Sequence, residues 1–233
     1  MFSDPDQIEL PGSPPLAVRL RRSGRAQRVA LSVSRLDGTV TLTLPTRASL
    51  RSAMRFLQDR RAWLENAVAG LEGPVIVGPG TALPVEGVPL TLTPAPLRSA
   101  RIEGDTLLVP AARPVAGALA FVRLRARDRL AERVGVHAQA LGCSIGKLTL
   151  RDTRSRWGSC TASGDLMFCW RLIMAPPRVL DYVAAHEVAH RAQMNHSPAF
   201  WAEVARLFPA HAEARRWLKH HGPALHRFRF RAS

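Results

Sequence analysis

The run His186-Glu187-Val188-Ala189-His190 puts two imidazoles and a carboxylate within five consecutive residues. On a helix, residues four apart lie about 40° from one another around the axis, so both imidazoles project from one face and can share a cation. Glu187 stands beside them without being placed as a ligand. It can hold a water on the cation and take its proton. Zinc suits imidazole donors and lowers the pKa of bound water to about 7. A catalytic zinc takes three protein ligands and keeps a fourth position open. His196, six residues after His190 and beyond a helix end expected at Met194-Asn195, is the first choice for the third. Glu203, in the next helix, and His211 are the alternatives.

Other side chains nearby carry further possibilities. Arg154, Arg156 and Arg171 flank the motif helix in sequence and are candidates for binding a substrate carboxylate or phosphate. Tyr182, one turn before His186, reads as core, with an oxyanion-stabilising role as the alternative. Trp157, Trp170, Trp201 and Trp217 read as packing around the site. Cys160 and Cys169 flank a turn; Cys169 reads as an inert core thiol, and a soft-metal or redox pair across the hairpin is the alternative.

The elements that must position these residues can be read from pattern. Segments 16–22, 28–34 and 39–44 read as strands, the last two joined by a turn at Asp37-Gly38. Ser49 is placed to cap a helix over about 50–70. A second β-rich stretch covers about 81–109, broken by Pro84, Gly87, Pro94 and Gly104. Pro114 opens a long helix that Gly142 closes near 141. A strand over 147–152, a turn at Gly164-Asp165 and a returning strand over 166–170 form a short hairpin region. Helices then follow from about Arg178, from Ser197 to Leu207, and over about 210–220, leaving a weakly patterned basic end. The chain therefore reads as α+β. A flexible lead (1–15) precedes a β-rich region (16–110), and a mainly helical region (111–233) holds the HEVAH helix and a basic tail.

Taken together, Arg156-Trp157-Gly158-Ser159-Cys160, Trp170-Arg171-Leu172, Pro176, Asp181-Tyr182-Val183, HEVAH, Asn195-His196-Ser197 and Phe200-Trp201 resemble the YgjP-like metallopeptidase domain. The likeness extends through residues 22–45 and 56–64, so it spans nearly the whole chain. It implies a zincin-like metallopeptidase domain related to SprT-like proteases, with zinc on His186, His190 and His196 and Glu187 as catalytic base. It also implies a peptide or protein substrate. Nucleotide pyrophosphatase activity has been attributed within the same family, which makes a nucleotide the alternative substrate. SprT-like relatives act beside DNA, which keeps nucleic-acid association as a third reading. Two positions depart from the family pattern: Cys169 replaces an asparagine before the tryptophan, and Arg191 replaces an apolar residue after the second histidine.

Charge bears on that third reading. Thirty-three basic against eighteen acidic residues give +15. Residues 111–233 hold 20 basic and 8 acidic of these, so the excess sits in the C-terminal half. Only Lys147 and Lys219 are lysine, a bias that points to codon usage as much as to phosphate binding. The tail residues Arg215, Arg216, Lys219, Arg227, Arg229 and Arg231 are the candidates for docking nucleic acid. No apolar run reaches the roughly 18–20 residues a membrane span requires. Three unspaced cysteines imply no disulfide framework, and the acidic, proline-rich start does not resemble a secretory leader, so a cytoplasmic location is expected.

Overall fold

The structure is a computed structural model that describes residues 7–11, 15–34, 38–69 and 73–230. Its contacts divide the chain into two compact units, Met1–Pro74 and Val75–Ser233.

The first unit is a four-stranded sheet with two helices. β1 (Gln7–Leu10), β2 (Leu16–Ser23), β3 (Ala30–Val33) and β4 (Val40–Pro45) lie in the order β1-β2-β4-β3. β1 is a regular strand within the stretch expected to be a flexible lead, paired from Gln7↔Arg19 to Leu10↔Leu16. Val40, Leu42 and Leu44 alternate onto the buried face of β4, where they join Ala53, Leu57 and Leu64 in one core. Those three residues come from α1 (Leu50–Asp59) and α2 (Arg61–Ala69), two helices where the pattern predicts one. Ser49 caps the first as expected, its hydroxyl accepting from Ser52 N at 3.1 Å. Arg60 ends it, donating its own N–H to Phe56 O and Gln58 O. Gly38 has a left-handed φ of 69°, as a turn there requires; Asp37 and Gly70 lie outside the described residues.

The second unit begins at β5 (Val75–Ile76) and contains every residue of the expected site. β6 (Ala82–Val85), β7 (Val88–Ala95), β8 (Arg101–Glu103) and β9 (Thr106–Pro110) form a second sheet in the order β6-β7-β9-β8. Their buried residues, Leu83, Val85, Leu90, Leu92, Leu107 and Val109, share one core with the helices that follow. The strands over 82–110 therefore pack with the C-terminal helices. α3 (Pro114–Leu141) runs as the pattern predicts and ends at Gly142, whose φ of 74° supplies the left-handed cap.

β10 (Leu148–Arg151), β11 (Gly158–Cys160) and β12 (Leu166–Cys169) form a small sheet in the order β10-β12-β11. The last residue of the expected strand, Trp170, instead opens a 3-10 turn through Met174. α4 (Pro177–Ala189), α5 (Pro198–Leu207) and α6 (His211–Leu225) complete the unit. The last described residues are not unpatterned, for β13 (Phe228–Arg229) pairs in parallel with β5.

Candidate metal centre

α4 carries the HEVAH run and is held from behind by α3. Asp181 on α4 accepts from Arg133 Nε at 2.7 Å and pairs with His137 Nε2 at 2.6 Å, both on α3. Burial alone would raise the Asp181 pKa, but the hydrogen bonds and charges of His137 and Arg133 outweigh it and hold the carboxyl below its ordinary value. Asp181 is therefore a clamp that ties the HEVAH helix to α3. The sequence offered it only as a family motif position.

The helix stops at Ala189, earlier than the Met194-Asn195 end expected, with His190 as its C-cap. His190 keeps αR geometry there, so the i, i+4 relation to His186 survives. Its Nδ1 bonds Gln193 O at 3.1 Å, which leaves Nε2 to face the cleft. His196 is brought back by a built turn. Asn195 Oδ1 accepts from Ser197 N at 3.3 Å, and the Ser197 hydroxyl caps α5 by accepting from Phe200 N at 3.4 Å. Phe200 is fully buried and forms the floor: its ring lies 4.5 Å from His190, 4.9 Å from His186 and 4.8 Å from His196.

The three histidines form a cluster whose donor atoms all lie within 4.8 Å of one another. His186 Nε2 and His196 Nε2 are 3.2 Å apart. Two imidazoles bound at 2.0–2.1 Å to a tetrahedral zinc stand about 3.3 Å apart, so the observed spacing fits a shared ion. Two of the donors are held in the neutral state. Burial, then the neighbouring imidazoles and Arg215, holds His186 down to about 3, and burial lowers His190 as well. Both are neutral donors at ordinary pH. Neither Glu203 nor His211 belongs to the cluster: Glu203 pairs with Arg206 and His211 stacks on Trp201.

Glu187 is only 5% exposed, and burial raises its pKa to about 8 although Arg156 pulls it down. Gly158 explains its placement. A Cβ on residue 158 would lie 2.5 Å from Glu187 Oε1, so only glycine lets β11 pass over the carboxylate. Trp157, the preceding residue, wedges the other way. Its ring stands 5.0 Å from His226, and Gly222 of α6 leaves room for its edge. Trp-Gly thus packs one side chain against α6 while its backbone covers the α4 carboxylate. Together these elements wall a cleft of about 280 Å³, lined by Gly158, Ser159, Cys160, Met194, the three histidines and Glu187.

The other sequence candidates fall as follows. Arg171 is not at the cleft: it is 6% exposed, donates to both Asp152 oxygens at 2.6 and 3.1 Å, and binds the carbonyls of Leu225 and Phe228. That engagement makes it a pin for the chain end rather than a free anion receptor. Arg154 and Arg156 are exposed, and Arg156 lies near enough for Glu187 to feel its charge. Tyr182 is buried with its ring against His186 and Phe208. Trp201 is at the site, stacked on His196; Trp170 packs on Phe230 and Trp217 on His221. Cys169 is buried beside Thr153 O, and Cys160 pairs with Leu166 in the hairpin, so the two thiols do not face each other. Arg191, the departure after the second histidine, donates to Ala162 O at 2.9 Å and ties the end of the motif to the β11–β12 turn.

Comparison with known proteins bears on the whole arrangement. The family model described as YgjP-like, metallopeptidase domain, matches residues 27–221. The chain belongs to that family. The YgjP-like match includes the histidine cluster and the sheet over it. A solved structure, the metallopeptidase zymogen of Pyrococcus abyssi abylysin, is similar at 20% identity and a TM-score of 0.36, covering 39% of this chain and 93% of that one. No curated protein matches. Membership supports a metallopeptidase, hence a hydrolase, with a metal ion that the histidine cluster could hold. Among the described residues, no helix is long and apolar enough to cross a membrane.

Proposed function

We propose that the chain is a zinc-dependent peptidase, with zinc on His186, His190 and His196 and Glu187 as general base. The observation that carries this reading is the convergence of three imidazole donor atoms within 4.8 Å beside a buried carboxyl. Zinc bound there supplies Lewis acidity to the scissile carbonyl and makes water nucleophilic near neutral pH. Glu187 takes the proton of the attacking water on its carboxylate and delivers it to the leaving amine. Its raised pKa, about 8, makes it an effective proton carrier, and a dication beside it draws that value down toward the operating range. Gly158 keeps the carboxylate in place, and Phe200 fixes the three imidazoles against rotation. The cleft, about 280 Å³ and open to solvent, suits exposed or unfolded polypeptide segments. Three free cysteines accord with a reducing, cytoplasmic setting.

The test is hydrolysis of an unfolded protein such as casein by the zinc-loaded chain and by Glu187→Gln. Wild-type cleavage that stops with a chelator and falls by about 10²- to 10⁴-fold in the variant supports the reading. Undiminished cleavage by Glu187→Gln contradicts it. Release of pyrophosphate from a nucleoside triphosphate, without peptide cleavage, would assign the centre to phosphoanhydrides.

A further inference from the structure

The small sheet has a second face. Alternation sends Leu148, Leu150, Leu166 and Phe168 toward the core, while the register sets Thr149 opposite Met167 and Met167 opposite Ser159 on the other side. On that side lies a groove of about 430 Å³, walled in part by Lys147, Thr149, Arg151, Arg156, Ser159 and Thr161. Lys147, Arg151 and Arg156 are exposed, and none of their side chains has an ion pair or hydrogen bond among the described residues. The acid in the wall, Asp165, accepts the Lys147 backbone N–H at 2.7 Å. The wall is already built. Thr149 donates its hydroxyl to Leu166 O and Thr153 donates to Arg156 O, at 3.3 and 2.8 Å.

Three like charges converging on one concave surface raise the local potential and call for an anion between them. Ser159 lines both this groove and the metal cleft, so a chain bound in one can continue into the other around β11. No aromatic ring lines the groove, so it lacks the stacking surface that holds single-stranded nucleic acid. Backbone-spaced carboxylates fit the remaining description.

We propose that this groove is an exosite for an acidic stretch of the polypeptide substrate, with Lys147, Arg151 and Arg156 as its receptors. Naming the ligand a substrate rests on the peptidase reading; the binding itself does not.

The experiment uses the zinc-loaded Glu187→Gln chain and fluorescence anisotropy, so turnover cannot interfere. The probes are a short peptide with a glutamate run and its glutamine counterpart. The glutamate peptide is expected to bind at least about tenfold more tightly, to weaken on the order of tenfold with Lys147→Glu plus Arg151→Glu, and to weaken as salt rises. Arg151→Gln alone and the salt series on the unaltered groove keep the test decisive if the double variant misfolds. Equal affinity for both peptides, or glutamate binding indifferent to these substitutions and to salt, overturns the proposal. So does a single-stranded oligonucleotide that binds through the same residues and is not displaced by the glutamate peptide. If the wild-type chain cleaves no peptide yet the glutamate run binds here, the peptidase reading fails and the anion site stands.

Discussion

Replacing Gly158 with alanine separates the placing of Glu187 from the binding of metal. The new Cβ would lie 2.5, 2.6 and 2.7 Å from Oε1, Cγ and Cδ of Glu187. Ordinary contacts to such atoms are about 3.5 Å, so the carboxylate must retreat by about 1 Å. The atoms in conflict are the end of a side chain, and relief comes by rotating Glu187 rather than by opening the sheet. The stability cost is therefore modest, about 1–2 kcal/mol. The catalytic cost is not modest. A displacement of about 1 Å at the proton-transferring group lowers kcat on the order of 100-fold. The three nearest neighbours of that Cβ are all Glu187 atoms, so the imidazoles should stay in place and metal uptake should be unchanged. The assay is steady-state cleavage of a quenched fluorescent peptide, with zinc content and a thermal melt measured on the same sample. Wild-type kcat in Gly158→Ala would refute the reasoning, as would a loss of activity that tracks a loss of zinc.

Three further outcomes are expected. Asp181→Ala should destabilise the chain by about 2–4 kcal/mol, since it leaves Arg133 and the buried His137 without their acceptor. Because the folded pKa of Asp181 is depressed, its contribution is present above its ordinary value of 3.8 and lost as pH falls below it; urea titrations at several pH values should show the wild-type chain losing this part and the variant lacking it. His226 is held down to about 4 from 6.5, by burial first and then by the charge of Arg171. The folded state thus binds fewer protons between those values, stability falls on acidification through that window by about 3 kcal/mol, and His226→Gln should flatten the dependence in denaturation curves. Arg171→Lys should destabilise by about 2–4 kcal/mol without changing KM, because lysine cannot make the bidentate bond to Asp152; a raised KM with an unchanged melt would return Arg171 to the substrate.

Much of the histidine cluster was legible because its determinants are local. HEVAH needs only helical geometry, and Asn195-His196-Ser197 carries its own turn and cap, so His196 returns to the cluster from six residues away. The early end of α4 at Ala189 was not legible, since residues 190–193 contain no Gly or Pro to mark a stop, and the Arg191 bond to the hairpin turn is formed with a residue 29 positions away. Arg171 misled for a related reason. Its partners lie 19, 54 and 57 residues away, and a buried guanidinium has the same one-letter code as a receptor. Gly158 carried a signal that could have been used: a glycine inside a strand marks a close approach, here by Glu187. The short strands β1 and β13 were missed because each is defined by its partner rather than by its own pattern. The strands over 82–110 are alternating and well punctuated, but alternation does not say which helices will cover them.

The most direct test of the account is elemental analysis of the purified chain beside its His190→Ala and Glu187→Gln variants. Roughly one zinc per chain is expected in the wild type and in Glu187→Gln, and almost none in His190→Ala. Zinc retained in His190→Ala, or a wild-type chain that neither holds nor takes up zinc, would contradict the three-histidine centre.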